Sequence, residues 1–514
     1  METNEFQLEV DVGIVGGGPA GLACAIRLAR ESNGSLRILL LEKAARPGGH
    51  LLSGAVMRTE ALEKLLTPEE FAALPFHTRV KNDSFHALLP RHSIRLPFVP
   101  PKMRMKGLPL LSISRVGQAL SNIATGLGVE IMTSQTADDL IWEGDRVVGF
   151  RSDGDGIRAA HTILADGPEG LLSRKVLARH PDMRGANATT NAIGIKEWIE
   201  IPARPEAVGM VLHTFGHPLP MDVYGGGFIY HADATHVALG LAVALDYTDP
   251  LTYPHELFRR WKRHPLVQQH IQGGRVAGYG ARLVPEGGWF SLSRFQAPGV
   301  FLIGDAAGLV DTMELKGLHL AVESGMAAAE AILRGESIIR AEDLPSLEGL
   351  RRTPNYRACF RGGLPFGVAG AGMAWMTHGA FPCGRIPQRS ERACLKPVSR
   401  GRKAPLPTQD SGPLDPGMDS DLYHARLHYR EGERHIQIKD ETTCRTCKTR
   451  YAAPCTRFCP AGVYEEAEAE TTGSLLHIRC ENCLQCRCCT IKCPHDNIAW
   501  QTPQHGNGPD YQDL

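Results

Sequence analysis

Two groups of cysteines near the C-terminal end have the spacing of metal ligands. One reads Cys444-x2-Cys447-x7-Cys455-x3-Cys459-Pro460, the other Cys483-x2-Cys486-x2-Cys489-x3-Cys493-Pro494. The second is the run that holds [4Fe–4S] clusters in bacterial ferredoxins: three thiolates bind one cluster, and the fourth, just before proline, crosses to the other. Applied here, the crossing rule joins Cys483, Cys486 and Cys489 to Cys459, and Cys444, Cys447 and Cys455 to Cys493. Ten of the 14 cysteines lie between Cys444 and Leu514. Cys480 and Cys488 fall outside both sets, and Cys488, between ligands, is expected to point away. Cys24, Cys359, Cys383 and Cys394 lie far upstream and read as ordinary core or surface residues. A disulfide framework belongs to small secreted chains. This chain is long, and its acidic start carries no basic-then-apolar leader, so a reducing compartment is expected. A structural zinc site would leave the third cysteine of the close triplet and the two Cys-Pro ends unexplained. For Cys444, Cys447, Cys455 and Cys493, zinc or unused thiols are the competing readings.

A second kind of chemistry is written near the N-terminus. The apolar run Val10–Val15 leads into Gly16-Gly-Gly-Pro-Ala-Gly21 and then into a helical pattern. In this context Gly16 makes the tight turn, Gly18 lets backbone approach a pyrophosphate, and Gly21 lets helix and strand pack closely. Glu42 ends the next strand, where the ribose-binding acid belongs. Two distant stretches favour FAD over NAD. Thr162–Gly167 is an apolar strand ending in Asp166-Gly167, and Val300–Gly308 carries Gly304-Asp305 before a long small-residue helix. The pair resembles motifs of FAD-dependent reductases and hydroxylases, in which the second Asp holds the ribityl chain. Gly317, at the start of that helix, would aim a positive helix end at a reduced flavin.

These sites need a frame. At 514 residues the chain has room for about three domains of ordinary size. Lys+Arg and Asp+Glu are equal at 56 each, which argues against a nucleic-acid partner. The expected fold is a multidomain α/β plus α+β arrangement. A Rossmann-like FAD domain (1–90, 131–189 and 291–360) carries an inserted, mostly antiparallel sheet domain (91–130 and 190–290) that covers the flavin face and sets substrate specificity. An apolar segment (361–385) and a linker (386–430) lead to a ferredoxin-like iron–sulfur domain (431–514). Tyr224-Gly225-Gly226-Gly227 heads one strand; it reads either as a bulge or as backbone kept bare for a flat ligand. Arg361 and Arg385 enclose a charge-free stretch rich in glycine, better suited to lying in a membrane interface than to spanning it. Arg95–Leu111 mixes apolar residues with Lys102, Arg104 and Lys106, which suit anionic headgroups. The Pro-, Arg- and Lys-rich stretch from Gly384 to about Asp421 reads as a surface tether.

With flavin and cluster motifs on one chain, the sequence resembles the electron-transfer flavoprotein–ubiquinone oxidoreductase family. The carrying residues include Gly16–Gly21, Leu52-Ser-Gly-Ala55, Gly194-Ile-Lys-Glu197, Tyr224–His231, Gly278-Tyr-Gly-Ala-Arg282, Arg457–Glu465 and Asn482-Cys-Leu-Gln-Cys486 through Trp500. The resemblance implies a monotopic enzyme on the cytoplasmic face of a bacterial inner membrane, or on the mitochondrial inner membrane. Electrons would pass from reduced electron-transfer flavoprotein through FAD and one [4Fe–4S] cluster to ubiquinone. By position, Cys459, Cys483, Cys486 and Cys489 would hold that cluster, and Gly225 and Gly226, beside Tyr224, would meet the quinone. The chain departs from members with one cluster in also carrying Cys444, Cys447, Cys455 and Cys493. The alternatives are a soluble flavin–ferredoxin fusion of a nitrogen-fixation-type complex and a flavin-dependent polyprenyl (geranylgeranyl) reductase. A nonenzymatic iron–sulfur scaffold would leave the FAD motifs idle.

Overall fold

The Val/Ile/Leu runs that carry the glycine and aspartate motifs are buried on both faces, and such strands assemble in parallel. Leu8–Val15 lies between Asp155–Leu164 and Ile38–Glu42; Val300–Leu302 and Glu130–Thr133 extend the sheet on either side, all parallel. A hairpin, Ala137–Glu143 and Arg146–Ser152, adds to it antiparallel. Helix Pro19–Glu31 packs against the small-residue helix Leu318–Leu333. They approach so closely that a Cβ on Gly325 would lie 2.2 Å from the Ala20 carbonyl oxygen. This computed structural model describes residues 6–52, 56–314, 316–399, 422–467 and 475–514. Residues 53–55 of the Leu52-Ser-Gly-Ala55 motif and 400–421 of the expected tether lie outside them.

The second sheet has seven strands in the order Arg275–Pro285, Asn191–Glu200, His236–Ala244, Gly225–His231, Met210–Gly216, Asn82–Leu88, Ser93–Arg95. All neighbours are antiparallel except Met210–Gly216 with Asn82–Leu88. The domain boundaries therefore differ from the sequence reading in two places. Asn82–Leu88, assigned to the FAD domain, belongs to the second sheet. Helix Ile113–Gly126, inside the 91–130 segment, packs instead in the core of the FAD domain, beside that domain's strand Glu130–Thr133. The cause is a long-range pairing that no local periodicity encodes.

The described part of the expected linker is not a tether. Glu391 is buried and accepts from the backbone N–H and the side-chain amide of Asn191. The Lys396 N–H donates to Thr248 O and the Val398 N–H to Arg450 O, both at 2.9 Å. The C-terminal module is made of short pieces: paired strands Ile436–Ile438 with Ile498–Trp500 and Tyr464–Glu466 with Leu476–Ile478, and helices Glu441–Tyr451, Cys455–Phe458 and Cys488–Lys492. Its apolar residues and those of the second sheet form one continuous core. The buried Tyr279 hydroxyl donates to Pro460 O at 2.7 Å. Lys492, fully buried, donates to the carbonyls of Leu245, Tyr247 and Glu391.

Candidate functional site

The carboxyl ends of the parallel strands open on a cavity of about 310 Å³. The sequence-predicted Gly16, Gly18, Glu42, Asp166, Asp305 and Gly317 all line it. Gly21 sits one turn behind. The three fingerprint glycines are bare for different reasons. A Cβ on Gly16 would strike Ala165 O at 2.3 Å, and Gly16 has φ +109°; one on Gly21 would strike Gly16 O at 2.1 Å. At Gly18 the nearest atom would be Leu51 Cδ2 at 3.9 Å, so only there does the missing side chain leave open space. That is the cradle a pyrophosphate needs, at the bare N-terminus of helix Pro19–Glu31.

The acids also divide. The two oxygens of Glu42 accept from Gly17 N–H and Ala44 N–H, each at 2.8 Å, which fixes the carboxylate at the cavity edge. Asp166 is committed to the protein: it accepts from Leu172 N–H (3.0 Å), Ser173 N–H (3.1 Å) and the Ser173 hydroxyl, capping helix Leu171–Arg179. The Asp305 carboxyl has no hydrogen-bond partner among the described residues, and burial, partly opposed by Arg282, pushes it up to about 6. A half-buried carboxyl left without a hydrogen-bond partner on a cavity wall fits a ligand hydroxyl. Helix Leu318–Leu333 begins at Gly317 without a side-chain cap, so its first N–H groups are free of helical partners at the cavity. Lys316, just before it, is buried and brought down to about 8 mainly by desolvation.

Cations in this wall escaped the sequence reading. Arg282 stood inside a quoted motif but without a role; Lys43 and Arg487 gave no signal. Lys43 is lowered to about 7 by burial and then by Arg282. Its amine donates to Gln485 Oε1 at 2.6 Å, which joins the dinucleotide wall to the cysteine module.

The cysteines fall into two neighbourhoods. Cys459, Cys483, Cys486 and Cys489 line one small cavity of about 20 Å³, walled also by Tyr464 and Trp500. Cys486, Arg487 and Trp500 line the dinucleotide cavity as well. Cys488 borders this cavity too, and its thiol donates to Phe458 O at 3.5 Å. Cys444 and Cys493 both accept from Asn497, and Cys447 and Cys455 lie in their charge field. Among the described residues no three His, Cys, Asp or Glu side chains converge tightly enough to hold a single metal ion; the corners of an iron–sulfur cube are spread more widely than the ligands of one ion.

Gly225 and Gly226 head their strand as expected. Their side-chain positions are closed by the sheet itself, at 2.2 Å from Ala242 O and 2.5 Å from Thr214 O. Their backbone is nevertheless open on one edge: they pair with Val243 and Ala242, while the ladder to Met210–Gly216 stops at Gly227–Thr214. Tyr224 packs on Phe360 (ring centroids 4.6 Å apart) and under Arg357 (4.5 Å). Phe360 belongs to an apolar cluster with Met313, Tyr356 and Ala371 beneath helix Leu364–Met376. That helix is inside out. Gly367, Gly370, Ala371 and Ala374 face the protein, while Phe366 (73% exposed), Val368, Trp375 and Met376 face outward. Among the described residues no helix is long and apolar enough to cross a membrane. Of the basic residues expected to face headgroups, Lys102 turns inward, 3.5 Å from Asp311.

Comparison with known proteins covers each part. A family model described as ETF-QO, ubiquinone-binding, matches residues 191–284; one described as electron transfer flavoprotein-ubiquinone oxidoreductase, 4Fe-4S, matches 418–512; an NAD(P)-binding Rossmann-like model matches 14–71. The chain is 34% identical to the mitochondrial electron transfer flavoprotein-ubiquinone oxidoreductase of Caenorhabditis elegans, over 98% of this chain and 92% of that one. It is 32% identical to the Pseudomonas aeruginosa enzyme of the same name, over 99% of each. Among solved structures, a geranylgeranyl bacteriochlorophyll reductase-like protein from Thermoplasma acidophilum superposes with a TM-score of 0.50 at 18% identity, covering 72% of this chain and 87% of that one. The myxobacterial chondrochloren halogenase gives 0.51 at 21%, covering 68% and 82%. These two likenesses are of fold.

Proposed function

This chain belongs to the electron transfer flavoprotein–ubiquinone oxidoreductase family, and from that premise we propose that it passes electrons from reduced electron transfer flavoprotein, through FAD and a [4Fe–4S] cluster, to ubiquinone at a membrane surface. The observation that carries this reading is the shared wall: Cys486, Arg487 and Trp500 border both the dinucleotide cavity and the small cavity among Cys459, Cys483, Cys486 and Cys489. When bound, FAD supplies the exchange between one-electron and two-electron steps, and the cluster supplies single electrons.

The protein's own residues bind, orient and exclude water. Gly16 and Gly21 shape the phosphate turn and Gly18 leaves it room. Glu42 holds a ribose, Asp305 holds the ribityl chain, and the free N–H groups at Gly317 and Leu318, with Lys316 behind them, stabilise negative charge at the flavin end. Asp166 positions helix Leu171–Arg179 at the cavity and stays out of ligand binding. Tyr224, Gly225 and Gly226 meet the quinone head through the open strand edge. The quinone reaches them from the outward apolar face of helix Leu364–Met376, which lies in the interface of a bacterial inner membrane on its cytoplasmic side, or of the mitochondrial inner membrane.

The test is ubiquinone reduction by the purified protein in phosphatidylcholine–phosphatidylglycerol vesicles, driven by reduced electron transfer flavoprotein. Turnover that needs the donor, the vesicle-borne quinone and the bound FAD is expected. A protein whose flavin is reduced by the donor but which never reduces quinone defeats the reading.

A further inference from the structure

Cys444, Cys447, Cys455 and Cys493 have no part in the path just described, yet the fold collects them. Helix Glu441–Tyr451 sets Cys444 and Cys447 three positions apart, on one face. Asp440 caps that helix through the N–H groups of Thr442 (2.9 Å) and Thr443 (3.2 Å), which fixes its position. Asn497 then clamps the two ends of the module. Its backbone N–H donates to Cys493 Sγ at 3.3 Å, and its side-chain amide donates to Cys444 Sγ at 3.2 Å and to Asp440 O at 2.6 Å. Cys455 opens the short helix Cys455–Phe458 and is buried. Its thiol is held well above the usual range, by burial first and then by Cys447, Cys493 and Cys444.

We propose that Cys444, Cys447, Cys455 and Cys493 ligate a second [4Fe–4S] cluster, at the outer end of the C-terminal module. The two short helices tie the two sets together. Cys455 and Cys459 are four residues apart, and so are Cys489 and Cys493; each pair spans about 6 Å along a helix axis. One ligand of each pair serves each cluster, which is the crossed arrangement of two-cluster ferredoxins. All four residues are free thiols. They do not converge as the ligands of one ion do, and neither do Cys459, Cys483, Cys486 and Cys489. The amide donors on Cys444 and Cys493 are the kind of N–H···S bond that stabilises thiolate charge.

The placement suits an entry port. Cys444 and Cys447 are half-buried on a helix whose Arg445, Thr446, Lys448 and Thr449 are exposed, whereas the inner set reaches the dinucleotide cavity through Cys486. One electron leaves a reduced one-electron carrier protein and enters the outer cluster; the same electron then leaves it for the inner cluster, and no atom or proton is exchanged. The inference goes beyond the function above and stands whatever the donor is.

The full chain, purified without oxygen, is assayed for iron, acid-labile sulfide, zinc and flavin, and its reduced paramagnetic spectrum is recorded. The expected counts are about eight iron and eight sulfide per chain, with a spectrum of two interacting centres. Cys447→Ser and Cys493→Ser, on separate segments, should each roughly halve the iron, turn the coupled spectrum into that of one isolated centre, and leave flavin at its parent level. About four irons in a fully loaded parent, counts unmoved by both substitutions, or a zinc ion lost in both variants would overturn the proposal. The parent counts and spectrum decide the matter even if neither variant folds. Loss of quinone turnover with both clusters present would count against the proposed function alone.

Discussion

At the scale of single residues, the three fingerprint glycines look interchangeable in the sequence and are not so in space. Gly21 is closed by Gly16 O, whereas Gly18 faces open cavity. Gly18→Val is therefore expected to fold with an unchanged apoprotein melting midpoint and to lose flavin affinity by tenfold or more, about 1.4 kcal/mol or above. Gly21→Val is expected not to accumulate as folded protein. Flavin absorbance per chain and circular-dichroism melting distinguish the two; equal flavin content in parent and Gly18→Val removes that glycine from the phosphate loop. Glu286 shows what motif reading misses. It follows strand Arg275–Pro285 directly and meets Arg357, 3.4 Å away and more than one domain segment later, beside Asp246, Tyr224 and Tyr356. Burial is the main cause that raises its carboxyl to about 7 from 4.5; Arg357 opposes the rise and Asp246 adds to it. The folded state thus binds this proton more tightly than the unfolded state. Its contribution to stability is complete below about 4.5 and is lost as pH rises through about 7. Glu286→Gln should flatten the fall in thermal midpoint across that window relative to the parent. Parallel pH profiles for the two proteins would show that Glu286 does not titrate there.

At the scale of elements, period and punctuation carried the parallel strands, their βα turn and the cysteine runs, because those depend on neighbours in the chain. The boundary of the second sheet was illegible because Asn82–Leu88 is recruited by Met210–Gly216 from far along the chain. Helix Leu364–Met376 lies between these cases. Its lack of charge was visible, but its orientation was not, since its apolar residues run all round. Packing decides it. A Cβ at Gly367 would lie 2.1 Å from Phe360 and one at Gly370 would lie 2.8 Å from Cys359 Sγ, so the glycine stripe must face the protein and the bulky residues must face out. If that face enters a bilayer, Phe366 and Trp375 each bring about 1.5–3 kcal/mol of apolar transfer. Phe366→Asp combined with Trp375→Asp should lower partition into phosphatidylcholine–phosphatidylglycerol vesicles by at least tenfold. Both side chains are exposed, so thermal stability should change by no more than about 0.5 kcal/mol per residue. Co-sedimentation equal to that of the parent would take the membrane contact away from this helix.

At the scale of the whole molecule, the sequence suggested a cluster domain on a tether, and the described residues form a single folded body instead. The core of the second sheet continues into the cysteine module without a break, through Tyr279, Phe258 and Trp261 on one side and Phe458, Cys459 and Cys489 on the other. The chain end also reaches back to the dinucleotide domain. Ala44 bridges to Gly506, Arg46 pairs with Asp510 at 2.6 Å, and the Tyr511 N–H donates to Gly49 O at 2.7 Å. Tyr511 and Leu514 are buried there. None of this was readable from spacing, because each contact joins segments that local patterns treat as independent. The consequence is thermodynamic: with one core there is no surface along which the module can detach without exposing apolar side chains on both sides. Heating the anaerobic holoprotein should release flavin and bleach the iron–sulfur absorbance at the same midpoint. Tyr279→Phe tests the coupling at one atom. It keeps the ring in place and leaves the buried Pro460 carbonyl without its donor, at a cost of about 1–3 kcal/mol. Both midpoints should therefore fall together by the same amount. If the cluster signal is lost well below flavin release, or the substitution shifts only one of the two, the module unfolds on its own and the shared core does not couple the centres.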